Sequence, residues 1–521
     1  MISQSLAAQS EAAPRAPAGK WLVALAIMPC TFLSVMDLTV VNTAMPHMMG
    51  SFGQTLSDIA WIGTAYSIAE IIMITMTDWW SAFLGRKRLL MGSVALFALS
   101  SILCAQAHSF GALIFFRVLQ GLGGGSLIPT AQAVLRETFP PKEHGLAMGI
   151  YGVGVVVAPA IGPILGGWLT DSYSWRWAFL INPPIAACAL FMIIFFIPEP
   201  DHLKRDIERI DWAGIGLLAI GMAALQIVLE RGQEKNWLAS SQIKIGLFTA
   251  VIALVALVFW EMRVRDPIIN LRLFRNSSLS AGSIIVFVAM IAFNGAAFLL
   301  PIWLQNLMGY TAYESGVALL PRALVMFLLM PAAGWLYNHV NAKALITGGC
   351  LILAAACWRL ARLPTDFAFW NLVPIMLMMG CAMPFMFVTL STVALSGVDK
   401  KDLTAAAGLF TLCRSVARNV GYAIMATVID RRSQFHRARL VDDVTRSNLA
   451  FVAARAELAR RLISAGVSMP LARLKAMAIL NADLNRQALF MSYSDSAWIL
   501  AVFLIAAVPL AMMLPSRRKI D

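Results

Sequence analysis

Charge is what this chain has least of. Asp, Glu, Lys and Arg supply 13% of its 521 residues, about half of the ~25% usual in soluble domains. Hydrophobic residues supply 59%, and the mean hydropathy is +0.74, which excludes a water-soluble globular protein. Paired cysteines are missing too. Cys30, Cys104, Cys188, Cys350, Cys357, Cys381 and Cys413 all fall in apolar runs without a CxxC, so they read as free thiols that pack like small hydrophobes. The six histidines stand singly with no HExxH, so metal catalysis has no support. A GxSxG elbow is absent, which argues against a hydrolase. No GxxxxGK[ST] loop occurs, and GLGGGS at 121–126 lacks the dinucleotide spacing. No enzyme chemistry, cofactor or metal is expected. Without a nucleotide site, uphill work must draw on an ion gradient.

What is present is one apolar run after another, from Trp21 to Leu514. Runs of about twenty residues mark a polytopic, all-α membrane protein. Fourteen helices are predicted, roughly at 21–45, 58–82, 89–107, 110–132, 145–169, 177–198, 211–230, 243–262, 279–304, 315–337, 343–361, 369–392, 404–429 and 493–514. The polar leader Met1 to Lys20, followed by a full-length apolar helix, reads as a signal anchor.

The net charge of +13 sets orientation before it suggests nucleic acid. Arg15, Lys20, Arg86, Lys87, Arg88, Arg136, Lys142, Lys204, Arg205, Arg209, Arg263, Arg265, Arg272, Arg275, Lys343, Lys400, Lys401, Arg517, Arg518 and Lys519 gather on one side. The positive-inside rule therefore predicts that both termini are cytoplasmic. The segment 431–490, with eleven basic and four acidic residues, is long enough to lie outside regardless of its charge. Phe451, Leu458 and Leu462 recur there at helical spacing, as do Leu474, Met477 and Leu484 beyond Gly466–Pro470. That pattern predicts two amphipathic helices with a break between them.

Ionisable groups inside apolar spans are costly, and so are functional candidates. Asp37 lies in the first predicted helix, Glu70 in the second and Arg117 in the fourth. Asp37 and Arg117 fall at similar depth, so they can form the pair that an intramembrane charge needs. Asp37 is the first candidate for proton coupling, Arg117 its electrostatic neighbour and Glu70 the second candidate. Whether Glu70 faces a cavity or another helix, one sequence leaves open. Asn42, Gln120, Arg322, Arg414 and Arg418 are candidates for a substrate cavity. If the arginines face it, acidic or anionic hydrophobic substrates are favoured.

The fifth predicted helix contains GVGVVVAPAIGPILGGWLTD, Gly152 to Asp171. Gly154, Ala158, Gly162 and Gly166 recur every fourth residue and form a side-chain-poor stripe, which in lipid lets a second helix approach closely. Pro159 and Pro163 remove backbone donors beside it. The string GxGxxxAPxxGPxxGG, which ends in Gly166 and Gly167, resembles the antiporter motif of drug-exporting members of the major facilitator superfamily. TDWWSAFLGRKRLL resembles the superfamily's loop motif GxLaDRxGRK, with Gly85, Arg86, Lys87 and Arg88 matching. Here Asp78 stands for the expected Gly and Ala82 for the expected Asp. Asp78 lies one turn before Ala82 on the same face and is a candidate replacement. SWRWAFLINPPI (174–185), 210–237, SGVALLPRAL (315–324) and 406–424 are similar to fourteen-helix drug:proton antiporters.

The resemblance implies a major facilitator fold of two six-helix bundles, at 1–200 and 276–521, with two inserted helices at 201–275. It also implies a proton-coupled exporter of hydrophobic toxic compounds in a bacterial inner membrane. A periplasmic adaptor bound at about 431–490 and an outer-membrane channel are the partners implied. The alternatives are an uptake symporter or facilitator of the same fold, which generally lacks APxxGPxxGG, and a non-transporting receptor or scaffold.

Overall fold

The computed structural model describes residues 19–198, 211–264, 267–364, 367–399, 402–442, 444 and 448–512. The basic residues Arg15, Lys204, Arg205, Arg209, Arg265, Lys400, Lys401, Arg517, Arg518 and Lys519 lie outside the described residues. Apart from short 3-10 turns, the elements are helices. The first half comprises α1 Lys20–Phe52, α2 Leu56–Ile59, α3 Trp61–Leu84, α4 Arg86–Ala105, α5 Phe110–Gly125, α6 Leu127–Thr138, α7 His144–Ser172, α8 Trp177–Leu180 and α9 Asn182–Phe196. Two further helices follow, α10 Trp212–Arg231 and α11 Ser241–Glu261. The second half comprises α12 Ser277–Met308, α13 Ala312–Ala318, α14 Leu320–His339, α15 Ala342–Ala361, α16 Phe369–Ala394, α17 Leu403–Asp442, α18 Leu449–Ser464 and α19 Met469–Met512.

Eleven helical stretches of the described residues are long and apolar enough to cross a membrane. The long helices α3, α7 and α17 fill the remaining predicted places. Their ends follow local chemistry. The Ser109 side chain accepts from Ala112 N at the start of α5, Asn276 caps α12, and Thr311 with Glu314 forms a capping box on α13. Gly53 and Gly309 take left-handed φ of 61° and 70° to stop α1 and α12. The first helix, predicted to end near residue 45, runs on to Phe52 with Pro46 inside it.

Within the first half α1 packs on α7 and α9, α3 on α5, and α4 on α5 and α9. In the second half α12 packs on α17 and α19, and α15 on α16 and α19. The halves meet where α7 touches α14 and α16, and where α17 touches α3 and α6. The inserted α10 lies against both α3 and α17, with α11 outside it. Side chains of α11 such as Ile245 (67% exposed) and Phe248 (69%) point outward, as a lipid-facing helix requires.

Helix α7 shows why its glycines are there. A Cβ on Gly154, Gly162 or Gly166 would strike the hydroxyl oxygens of Thr31, Thr39 and Thr43 on α1. Those threonines turn back to bond their own helix, at Met28 O (3.0 Å), Met36 O (2.8 Å) and Val40 O (2.7 Å), so the close seam leaves none of the three donors unpaired. Ala158 and Gly167 are buried along the same helix. At the other end of α7, a Cβ on Gly145 would lie 2.5 Å from Gly334 O, and one on Gly149 2.6 Å from Met330 O. One helix thus makes close backbone contact with each half.

The segment 431–490 differs from the expected loop with two separate helices. α17 continues unbroken to Asp442, and the second helix is the leading part of α19 rather than a separate element. The break at Gly466 (φ 87°) does occur, between α18 and α19. Arg432 binds Asp495 at 2.6 Å and Arg437 Nε donates to Asn485 Oδ1 at 2.7 Å, which ties the two long helices together. Leu474 and Met477 do not pack inward as an amphipathic stripe would. They are 70% and 41% exposed, while Ala459, Ala472 and Ala476 are buried. Small alanines let α18 and α19 approach closely and leave the larger side chains outside.

Candidate functional site

Asp37 lies fifteen residues before the end of α1, roughly 22 Å along it, deeper than the sequence-predicted helix end implied. Its carboxylate accepts from Arg117 Nη1 at 2.5 Å, Asn182 Nδ2 at 2.8 Å and Gln120 Nε2 at 2.9 Å. Ser101 Oγ accepts from Asn182 (2.9 Å) and Gln120 (3.1 Å), then donates to Phe179 O at 2.9 Å. Arg117 Nε donates to Ile62 O at 3.1 Å, and its guanidinium lies 4.4 Å from the Tyr66 ring centroid. Asp37, Ser101, Arg117, Gln120 and Asn182 are all 0% exposed. They come from α1, α4, α5 and α9, so the cluster staples four helices of one half. An ion pair in so little water holds only because each charge has several partners.

A separate cavity of about 490 Å³ lies between the halves. Its walls are apolar and rich in methionine and phenylalanine, among them Met290, Phe293, Met326 and Phe387. Asn42, Glu70, Arg322, Arg414 and Arg418 line it, as does Pro159 of α7. Asp37, Arg117 and Gln120 do not line it. Gln120, expected in the cavity, belongs instead to the sealed cluster, because its amide is consumed by Asp37 and Ser101. Pro163 faces Gly316 of α13 rather than the cavity.

Polar groups inside the cavity join different parts of the chain. Arg418 Nη2 of α17 meets Glu70 Oε2 of α3 at 3.3 Å. Thr64 Oγ1 of α3 bonds Glu230 Oε2 of α10. Gln226 Nε2 donates to Glu230 Oε1 at 2.7 Å, and Asn419 Nδ2 donates to Gln226 Oε1 at 2.6 Å. Arg322 lies 5.9 Å from the Phe293 ring centroid and Arg414 5.3 Å from that of Phe387. Neither arginine has an ion-pair partner among the described residues. A guanidinium without a counter-charge in a largely apolar cavity can donate to an acceptor group, and Arg414 Nη1 is buried without a hydrogen-bond partner among the described residues. Sequence reading missed Glu230, Gln226, Asn419 and Asn182. The first was discoverable, since Gln226 and Glu230 stand one turn apart on an otherwise apolar α10, with Gln233 following just past its end.

The lining runs from Ala60, in the turn before α3, to Phe387 and Arg414 at depth. Beyond that depth the halves touch. Arg86, one of the basic residues that the sequence reading used to set topology and one of the loop-motif matches, is 0% exposed. Gly85 (φ 87°) turns the chain so that Arg86 Nε reaches Thr404 Oγ1 of α17 at 2.9 Å and its Nη1 reaches Glu137 of α6. Arg136 Nη1 donates to Thr392 O at 2.9 Å, again across the halves. Lys87 Nζ donates to Ile194 O at 2.7 Å, Arg88 is exposed, and Asp78 is half-buried on α3. The cavity is therefore closed at the Arg86 end.

Two helical halves around a central cavity shut at one end have the architecture of a polytopic membrane transporter. The chain belongs to the Major Facilitator Superfamily, whose profile matches residues 27–422. It is similar to "Multidrug export protein EmrB" of Escherichia coli K12, 34% identical over 82% of this chain and 83% of the relative. "Fatty acid resistance protein FarB" of Neisseria gonorrhoeae is 28% identical over 94% of this chain and 95% of that protein. Among solved structures, the human organic anion transporter MFSD10 superposes with a TM-score of 0.61 at 17% identity, over 93% of this chain and 99% of that one. The proton:xylose symporter XylE superposes at 0.60 and 13%, over 96% of this chain and 97% of that one. Both likenesses are of fold.

Proposed function

We propose that the chain is a proton-driven multidrug exporter of a bacterial inner membrane, with both termini cytoplasmic and the cavity opening to the periplasm. The observation that carries this reading is the apolar cavity between the halves, crossed by the Glu70–Arg418 pair and closed at the end where Arg86 and Arg136 bridge. The likeness to a multidrug export protein supports the direction of transport. The bundles span 1–200 and 276–521, with 201–275 inserted between them.

Hydrophobic compounds fill the methionine- and phenylalanine-lined space, and Arg322 and Arg414 donate to an acceptor group on them, a carbonyl or an acid. Glu70 is the principal proton site, because it reaches the cavity and its partner Arg418 sits on the other half. A proton on Glu70 removes the charge that holds Arg418, so it weakens a bond between the halves. Asp37, the first candidate by sequence, acts here as an anchor with Arg117. The small-residue stripe Gly154, Ala158, Gly162, Gly166 lets α7 stay close to α1 while its other end moves against α14.

The extramembrane part of α17, α18 and the leading part of α19 is the docking site for a periplasmic adaptor, itself joined to an outer-membrane channel. Exposed Leu449 (83%), Leu471 (47%) and Leu474 (70%) supply the apolar contact.

The test is transport by purified protein in proteoliposomes, over a panel of hydrophobic acids, neutrals and cations with imposed pH gradients. Proton-driven extrusion of acceptor-bearing compounds is expected. Flux that follows the compound's own gradient alone, unaffected by pH, would replace the exporter with a facilitator. Removing residues 443–468, α18 and its flanks, should abolish adaptor co-purification. Undiminished adaptor binding would reduce the hairpin to a cap.

A further inference from the structure

We propose that Glu230, on the inserted helix α10, is a second proton-exchanging residue of the transport cavity, with Thr64 as its switchable partner. This rests on the reading of the chain as a proton antiporter and adds to it a residue outside the two bundles. Three membrane-embedded acids can be compared by what their partners allow. Asp37 meets only N–H donors, from Arg117, Gln120 and Asn182. A proton arriving there would face donors with nothing to accept it. Glu70 meets the Arg418 guanidinium, which has no acceptor at all. Glu230 differs.

Its Oε2 meets the hydroxyl of Thr64, and a hydroxyl both donates and accepts. Thr64 Oγ1 also has Ala60 O in reach at 3.1 Å, so its one hydrogen has two possible acceptors. With Glu230 ionised, that hydrogen goes to Glu230 Oε2. With Glu230 protonated, the acid O–H donates to Thr64 Oγ1 and the threonine hydrogen turns to Ala60 O. One proton passes from a hydronium ion in the cavity: its O–H bond breaks, the carboxyl O–H bond forms, a water molecule is left, and neither Glu230 nor Thr64 loses a partner. Gln226 Nε2 holds Oε1 at 2.7 Å in both states. Access agrees with this chemistry. Asp37 is 0% and Glu70 3% exposed, whereas Glu230 is exposed and lines the cavity.

The charged groups around Glu230 are few. α3 offers Glu70, and α17 offers Arg418 and, beyond it, Asp430, which is held by Gln233 at 2.7 Å and Gln434 at 2.9 Å. Tyr422 of α17 also lines the cavity. On α10 itself Arg231 lies 4.8 Å from the Trp61 ring centroid. On α11 the charged groups are Lys244, which is exposed, and Glu261, at the opposite end and 3.4 Å from Ile269 N.

The consequence is mechanical. Thr64, Glu230, Gln226 and Asn419 form one line from the first half, through α10, to the second half. Charge-assisted hydrogen bonds are roughly twice as strong as neutral ones. Protonation therefore loosens α10 from α3 while the Gln226–Asn419 bond to α17 stays, and the inserted helix senses the proton as a weaker strap.

The experiment is an infrared pH titration of the full chain in nanodiscs, with E230Q, T64V and T64S beside wild type, followed by export of Nile red from proteoliposomes. Nile red is an uncharged hydrophobic dye with a carbonyl acceptor, so any pH dependence belongs to the protein. Glu230→Gln is expected to delete one titrating protonated-carboxyl band and to cut pH-driven Nile red export about tenfold. Thr64→Val should shift that band's titration by about tenfold in proton concentration, and Thr64→Ser should restore it. An unchanged band in E230Q, or wild-type titration in T64V, overturns the proposal. Should E230Q not fold, the T64V and T64S pair decides. If wild type itself shows no pH-driven export while E230Q still loses its band, the antiport reading fails and the proton site stands.

Discussion

The sealed cluster around Asp37 and the open network around Glu70 and Glu230 use the same ingredients: carboxylates, guanidiniums and side-chain amides. They differ in where the partners come from. Asp37 is satisfied by α5 and α9 within one half, in the absence of water. Glu70 is satisfied from α17 of the other half, and Glu230 from Thr64 of α3 as well as from Gln226 of its own helix, so each is paired across a boundary between parts of the fold. A fully paired buried charge fixes helices in place, whereas a charge paired across a seam is available to change. The depth of an acid in the membrane does not distinguish the two cases.

The sharpest way to break this comparison is to remove one partner from each region. Arg117→Ala leaves the Asp37 carboxylate buried beside two amides. It should cost about 3–5 kcal/mol of stability, read as a collapse of folded yield and thermal midpoint in detergent. Asp37→Asn should also destabilise, because Arg117 then keeps a buried charge without its counter-ion. If Asp37→Asn folds normally and loses only pH-driven export, the division between anchor and proton site is wrong.

In the open network the prediction reverses. Glu70→Gln should lower the thermal midpoint less than Arg117→Ala does, as the Arg418 side chain left behind is 25% exposed where the Asp37 side chain left by Arg117→Ala is 0%, while pH-driven export falls tenfold or more. Helix α7 gives an intermediate case. Gly162→Ala drives a methyl into Thr39, an overpacking that should cost about 1–3 kcal/mol. Arg322→Ala should weaken Nile red binding about tenfold, measured by fluorescence titration, with no loss of fold; one hydrogen bond from a charged donor is worth about that much. The smallest effect belongs to the hairpin. Deleting residues 443–468 should leave the thermal midpoint of the membrane core unchanged, since α18 packs chiefly on the leading part of α19.

Much of the fold was legible because spans in lipid are written as apolar runs. The glycine stripe of α7 was legible too, since a four-residue period names a helix face without naming its neighbour. The neighbour, the threonine row of α1, was not. Arg86 counted in the sequence as one of the topology-setting basic residues, and only the turn at Gly85 and the closeness of Glu137 and Thr404 show it buried. Gln120 was assigned to the cavity because it is polar and inside a span, a criterion that cannot separate a cavity from a sealed cluster. The length of α17 and α19 beyond the apolar runs was missed for a related reason. Polar helices carry no hydropathy signal, so their continuity with the spans is invisible to it.

By itself, then, the sequence determined that this chain is a many-span helical membrane protein of the major facilitator type, and that Asp37, Glu70 and Arg117 lie within its apolar spans. Those properties follow from composition and short-range periodicity, which act within one helix. Which acid meets water, which arginine stays unpaired, and that the inserted α10 contributes Glu230 to the cavity were decided only by tertiary structure. A membrane helix buries polar groups on one face and apolar ones on the other with little change in its sequence signature. The meaning of each polar group is set by residues 145, 166 or 348 positions away.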